Sequence, residues 1–136
     1  MLLRAWLRHA GERVFIWSDC LSYKPYLLAA RNLRRIYPSP ERPTPPDVQE
    51  LLNALGARYY PGQYDRATGT VCKPASLLQP RVAPITADMR CDPFIAFHAD
   101  RTPGHIHGDG LIAVYPGTFE NLRHFLARRL RQALRP

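Results

Sequence analysis

Pro93-Phe94-Ile95-Ala96-Phe97-His98-Ala99-Asp100-Arg101-Thr102-Pro103-Gly104-His105-Ile106-His107-Gly108-Asp109-Gly110-Leu111-Ile112-Ala113-Val114-Tyr115 is the stretch on which the fold turns. Two apolar runs, Pro93–Phe97 and Leu111–Tyr115, flank a segment rich in glycine, proline and aspartate. That pattern predicts strand, tight turn, strand. His98 then closes the first strand, while His105 and His107 open the next. Side chains alternate along a strand, so a His-x-His pair in extended backbone presents both imidazoles on one face. His98 is placed to swing in as a third nitrogen. Three imidazoles on one hairpin suit a divalent metal, although a polar surface hairpin with local hydrogen bonds reads equally from the same residues.

Downstream, Pro116-Gly117 ends the second strand and Thr118 caps a final helix. Leu122, Phe125, Leu126, Leu130, Ala133 and Leu134 form its apolar stripe, expected to face the core, with Arg128, Arg131 and Arg135 opposite. Upstream, residues 2–9 fit either a short amphipathic helix or an alternating strand. Arg13–Trp17 is a strand by its β-branched and aromatic content. Ser22–Ile36 is helical, with Ser22 as cap and Pro25 in the first turn. A second helix runs from Pro46 to Leu55 and stops at Gly56. Between them, residues 38–46 carry five prolines, a stiff surface connector. Tyr59-Tyr60 and Thr70-Val71-Cys72 are short strands, and 79–92 is loop. The order β-α-α-β-β-β-β-α predicts one α+β domain over 1–136, a mostly antiparallel sheet with two or three helices packed on it.

Composition narrows the function classes. The chain has 136 residues and a formal net charge of +8, and 17 of its 19 basic residues are arginine. Guanidinium forks onto phosphate and stacks on bases, which favours a nucleic-acid partner over a basic protein surface of no purpose. Three cysteines without Cys-x-x-Cys spacing argue against a disulfide scaffold and for a reducing, cytoplasmic setting. Arg4 and Arg8 interrupt the apolar start, so a signal peptide is not expected, and no run reaches membrane-spanning length. No glycine-rich phosphate loop is present.

His98, His105, Ile106 and His107 resemble the third motif of conjugative relaxases, members of the HUH (His-hydrophobic-His) endonuclease superfamily. The resemblance implies a metal-dependent single-strand nickase or strand transferase, acting on DNA rather than RNA. On it, His98, His105 and His107 would hold the divalent metal, Mn²⁺ or Mg²⁺, that polarises a scissile phosphate. Tyr23 or Tyr26 would be the nucleophile. Arg123, Arg128, Arg131 and Arg135 of the last helix, with Arg58 and Arg66, are the candidate nucleic-acid contacts.

Other readings stay open. The chain fits a non-enzymatic basic nucleic-acid-binding or regulatory accessory module of a mobile element, with the histidines structural. Trp17, Tyr59, Tyr60, Tyr64 and Phe97 offer a stacking platform for single strands, although Trp17 and Phe97 also suit a core. Cys20 near a helix start, paired with His105, suggests a Cys/His hydrolase. Cys91 fits an incidental zinc site, and His98-x-Asp100 with His124 a two-His-one-carboxylate iron site. The final apolar stripe also suits a homodimer.

Overall fold

A computed structural model describes residues 13–75, 78–79 and 81–133. The expectations for residues 2–9, Leu134 and Arg135 lie outside the described residues. Among the described residues four strands and four α-helices follow in the order β1 (Phe15–Cys20), α1 (Tyr23–Asn32), α2 (Pro46–Tyr59), β2 (Tyr64–Asp65), β3 (Thr70–Val71), α3 (Pro93–Arg101), β4 (Gly110–Pro116) and α4 (Phe119–Ala133). The α+β expectation holds, and the sheet is wholly antiparallel with strand order β1-β4-β3-β2.

β4 is the spine. Phe15 to Cys20 pair with Pro116 back to Leu111 on one side. On the other side β3 takes Gly110 and Leu111, and an isolated bridge brings Tyr37 to Val114. Leu111–Val114 is buried without a break because both faces of the strand are covered. Ile112 and Val114 pack with Val48 and Leu52 of α2, Tyr37 and Val71. Leu111 and Ala113 turn the other way, against Cys20, Tyr26 and Ile36, with Phe94 and Phe97 of α3 beside them. The strand's period of 2 sorts one apolar run into two cores.

Pro93–Phe97, expected as a strand, is the first half of α3. Asp92 is the reason: its Oδ1 accepts from Phe94 N at 2.9 Å and Ile95 N at 3.4 Å, and Pro93 occupies the first turn. The segment His105–His107, expected to open a strand, is a single 3₁₀ turn ended by Gly108 at φ 93°. That left-handed backbone is costly for any residue but glycine, so the chain turns before β4 begins. The predicted hairpin is therefore helix, turn, strand.

Smaller corrections follow the same logic. α1 ends at Asn32 rather than Ile36, and Ser22 holds the cap position without a side-chain bond. α2 runs through Gly56 to Tyr59, because the Tyr64 ring packs directly on the space where a Gly56 side chain would stand. Tyr59-Tyr60 is thus a helix end, and the strand of that region is Tyr64–Asp65. A 3₁₀ turn at Asp88–Cys91 interrupts the expected 79–92 loop. Thr118 does cap α4, its Oγ1 accepting from Asn121 N at 3.3 Å. The stripe of that helix, however, does not enter the core: Asn121 is its one buried residue among those described.

Candidate functional site

α3 lays His98 against β1, where the ring has no exposed surface. Its Nε2 lies 3.3 Å from the Cys20 carbonyl and its Nδ1 3.1 Å from Thr102 Oγ1. A carbonyl only accepts, so Nε2 carries the proton and Nδ1 faces the Thr102 hydroxyl, which also reaches the His98 carbonyl at 2.6 Å. Burial without a counter-charge lowers the imidazole pKa to about 4, leaving it neutral. His105 donates from Nδ1 to the Thr102 carbonyl at 2.8 Å. His107 is exposed on the 3₁₀ turn. Among the described residues no three His, Cys, Asp or Glu side chains converge as a metal-holding group. Asp100 points away, paired with Arg90 on the surface, and Cys91 is exposed.

The two candidate tyrosines differ. Tyr23 begins α1 and is half-buried. Tyr26 is fully buried, stacked on Phe97, and donates its hydroxyl to the Pro38 carbonyl at 2.9 Å. Burial raises its pKa well above the usual phenol range, so Tyr26 is a poor source of phenolate. Cys20 is the last residue of β1, three positions before α1 begins, and is fully buried. Its Sγ is 3.3 Å from Ser18 Oγ and 3.6 Å from Tyr115 Oη. Burial pushes this thiol up, and the imidazole beside the Cys20 backbone is His98, not His105.

A polar cluster that the sequence did not announce lies across the α2 end of the sheet. Lys73 Nζ sits 2.6 Å from Asp19 Oδ2, with both side chains largely buried, and 4.3 Å from the centre of the Tyr60 ring. Asp109 accepts from Lys73 N at 2.8 Å and so ties the turn before β4 to β3. Gly110 is needed here: a side chain on it would overlap the Asp19 carboxylate. Asp19 Oδ1 is buried without a hydrogen-bond partner. Burial and the Asp19 carboxylate together push the Tyr60 hydroxyl up to about 12. Asp19 and Lys73 are 54 positions apart, and no local pattern links them.

The basic residues form two separate surfaces. Arg34, near the end of α1, converges with Arg123, His124 and Arg131 of α4 on a cleft of about 440 Å³, with Glu120 as its acidic member. Glu120 is engaged by Arg35 at 2.8 Å and Arg34 at 3.7 Å. Among the described residues no carboxylate pairs with Arg123, Arg128 or Arg131. Arg66 lines a second, open groove of about 550 Å³ with Glu50, Asn53, Tyr60 and Tyr64, while Arg58 is exposed near the end of α2. Of the expected aromatic platform, Tyr60 and Tyr64 share that groove. Tyr59 packs on Trp17 with ring centres 4.8 Å apart and planes tilted by 30°, and Phe97 packs into the α1–α3 core.

Compared with known proteins, the chain matches no family model, no curated protein and no solved structure. Among the described residues no helix is long and apolar enough to cross a membrane.

Proposed function

We propose that this protein is a nucleic-acid-binding module that grips the phosphate backbone in the cleft between α4 and Arg34 of the segment that follows α1. The observation that carries the reading is the convergence of Arg34, Arg123, His124 and Arg131 on one cleft. Its single carboxylate, Glu120, is already taken up by Arg34 and Arg35. Arg123 and Arg131 retain guanidinium charge that no acidic side chain among the described residues offsets, and a phosphate chain supplies it. His98 and His105 fit a structural role in this reading, since both His98 nitrogens lie against polar partners in a neutral ring and His105 Nδ1 meets the Thr102 carbonyl.

The experiment is fluorescence anisotropy of the full chain on a labelled single-stranded DNA oligonucleotide across a salt series. Arg34→Ala/Arg123→Ala/Arg131→Ala should weaken binding and reduce the slope of log K against log salt by roughly 2, at about 0.7 per lost single-strand phosphate contact. An unchanged slope would remove the cleft from the interface. The same oligonucleotide incubated with Mn²⁺ tests the nickase alternative. Cleavage lost in His105→Ala/His107→Ala would return the metal-dependent reading and displace this one.

A further inference from the structure

α4 is an amphipathic helix mounted with its apolar side outward. At about 100° per residue, Phe119, Leu122, Leu126, Leu130 and Ala133 fall within an arc of roughly 80° and run for about 21 Å along the axis. Phe119, Leu126 and Leu130 are 67%, 51% and 63% exposed. The side turned to the protein is held by polar contacts instead. Asn121 is buried, accepts from Arg35 N at 2.7 Å and donates to the carbonyls of Arg35 at 2.9 Å and Pro116 at 2.8 Å. A helix that spends its amide side chain on docking and leaves Phe119, Leu126 and Leu130 wet, with Leu122 half-buried, has a second surface to cover.

The charge around the stripe selects what covers it. α4 carries four arginines, Arg123, Arg128, Arg129 and Arg131, against one glutamate, Glu120. Arg123 and Arg129 lie on opposite flanks of the stripe by helical angle. Arg129 spreads over the Phe125 ring, 5.4 Å from its centre. A second copy packed through the same stripe would bring four more arginines and a single further glutamate to the contact, so the net like charge of the two helices opposes that occupant. A nucleic acid would satisfy the arginines and leave Phe119, Leu126 and Leu130 in water. An anionic bilayer surface satisfies both: the apolar chains enter the acyl boundary while arginines on either flank reach up to lipid phosphates. We infer that the outward face of α4 docks on an anionic lipid surface, the helix lying in the plane of the interface. This inference does not rest on the nucleic-acid reading. Arg123 belongs to both surfaces, so lipid and nucleic acid should compete for the protein.

Flotation of the full chain with vesicles tests it. The protein should float with vesicles of phosphatidylglycerol and phosphatidylcholine and stay behind with phosphatidylcholine alone. Leu126→Gln/Leu130→Gln should cut the bound fraction at least about tenfold, because it removes insertion while leaving the charge of the helix unchanged. The exposure of both leucines lets that variant keep its fold, which far-UV circular dichroism confirms. Leu126→Trp provides a second readout, a blue shift of its emission on adding the anionic vesicles. Equal flotation of the glutamine variant and the wild type would reduce the contact to charge and overturn the proposal. So would a vesicle-indifferent protein that sediments as a dimer and becomes monomeric in the same variant, which would make the occupant a second copy.

Discussion

His98 and Lys73 are buried groups of opposite habit: one is stored uncharged, the other charged. For His98 the pKa near 4 in the fold compares with about 6.5 in an unfolded chain, so between those values only the unfolded state binds the proton. Stability should therefore be full above about pH 6.5 and fall as the pH drops toward 4, by about 3 kcal/mol over the window. Urea titrations at stepped pH should show that decline, and His98→Gln should flatten it within this range while lowering stability at neutral pH. A wild-type curve level between pH 4 and 6.5 would mean that the ring is solvated. The Asp19–Lys73 pair behaves differently, because each charge is held in place by the other. Lys73→Met leaves the Asp19 carboxylate buried with both oxygens short of partners and should cost about 3–5 kcal/mol. Adding Asp19→Leu to that variant should recover much of the loss, since an apolar pair needs no compensation. A double variant as unstable as the sum of the singles would show that the pair is not coupled.

At the scale of elements, α3 shows what local sequence conveys and where it misleads. Phe94-Ile95-Ala96-Phe97 has no period that separates a buried strand from a buried helix. The Asp92-Pro93 pair just before it is a helix start, and its physical content is the carboxylate on two free amides. Asp92→Ala should lower stability by about 1 kcal/mol, with a contribution from the Arg31 contact at 3.2 Å, whereas Asp92→Asn should retain most of the cap. Thermal melts of the two variants decide this, and equal losses would make the Arg31 pair the larger effect. β4 and the capped start of α4 were legible because their signals are local: a β-branched run closed by Pro116-Gly117, then Thr118. Their environments were not legible. Nothing near Leu126 reveals that Asn121, five positions earlier, is the residue that docks the helix. The arginine excess was plain in the composition, but the meeting of Arg34 with Arg123 and Arg131 depends on α1 and α4 lying side by side. The histidine triad failed to assemble for a related reason. A helix and a 3₁₀ turn replaced the two strands whose alternation would have aligned the rings.

Across the whole molecule, stability is graded outward from β4. That strand receives both cores, is hydrogen-bonded along both edges, and cannot open without separating α2 from α1 and α3. α4 sits at the other extreme, joined through Asn121 and the Glu120–Arg35 contact, with an exposed distal half. Opening α4 exposes little apolar surface and breaks few tertiary hydrogen bonds, so it should occur well below the free energy of global unfolding. Hydrogen exchange should accordingly show the amides of Ile112–Val114 exchanging only with global unfolding, and those of Leu126–Arg131 exchanging far faster. Binding adds a second, sharper expectation. A DNA strand in the cleft or a lipid surface on the stripe contacts α4, so either should slow exchange in Leu126–Arg131 while leaving Ile112–Val114 unchanged. Protection of α4 equal to that of β4 in the free protein would contradict this gradient, because it would place the helix in the cooperative core. If the gradient holds, the most basic element of the chain is also its most loosely held, and ligand binding can order it without disturbing the sheet that fixes its position.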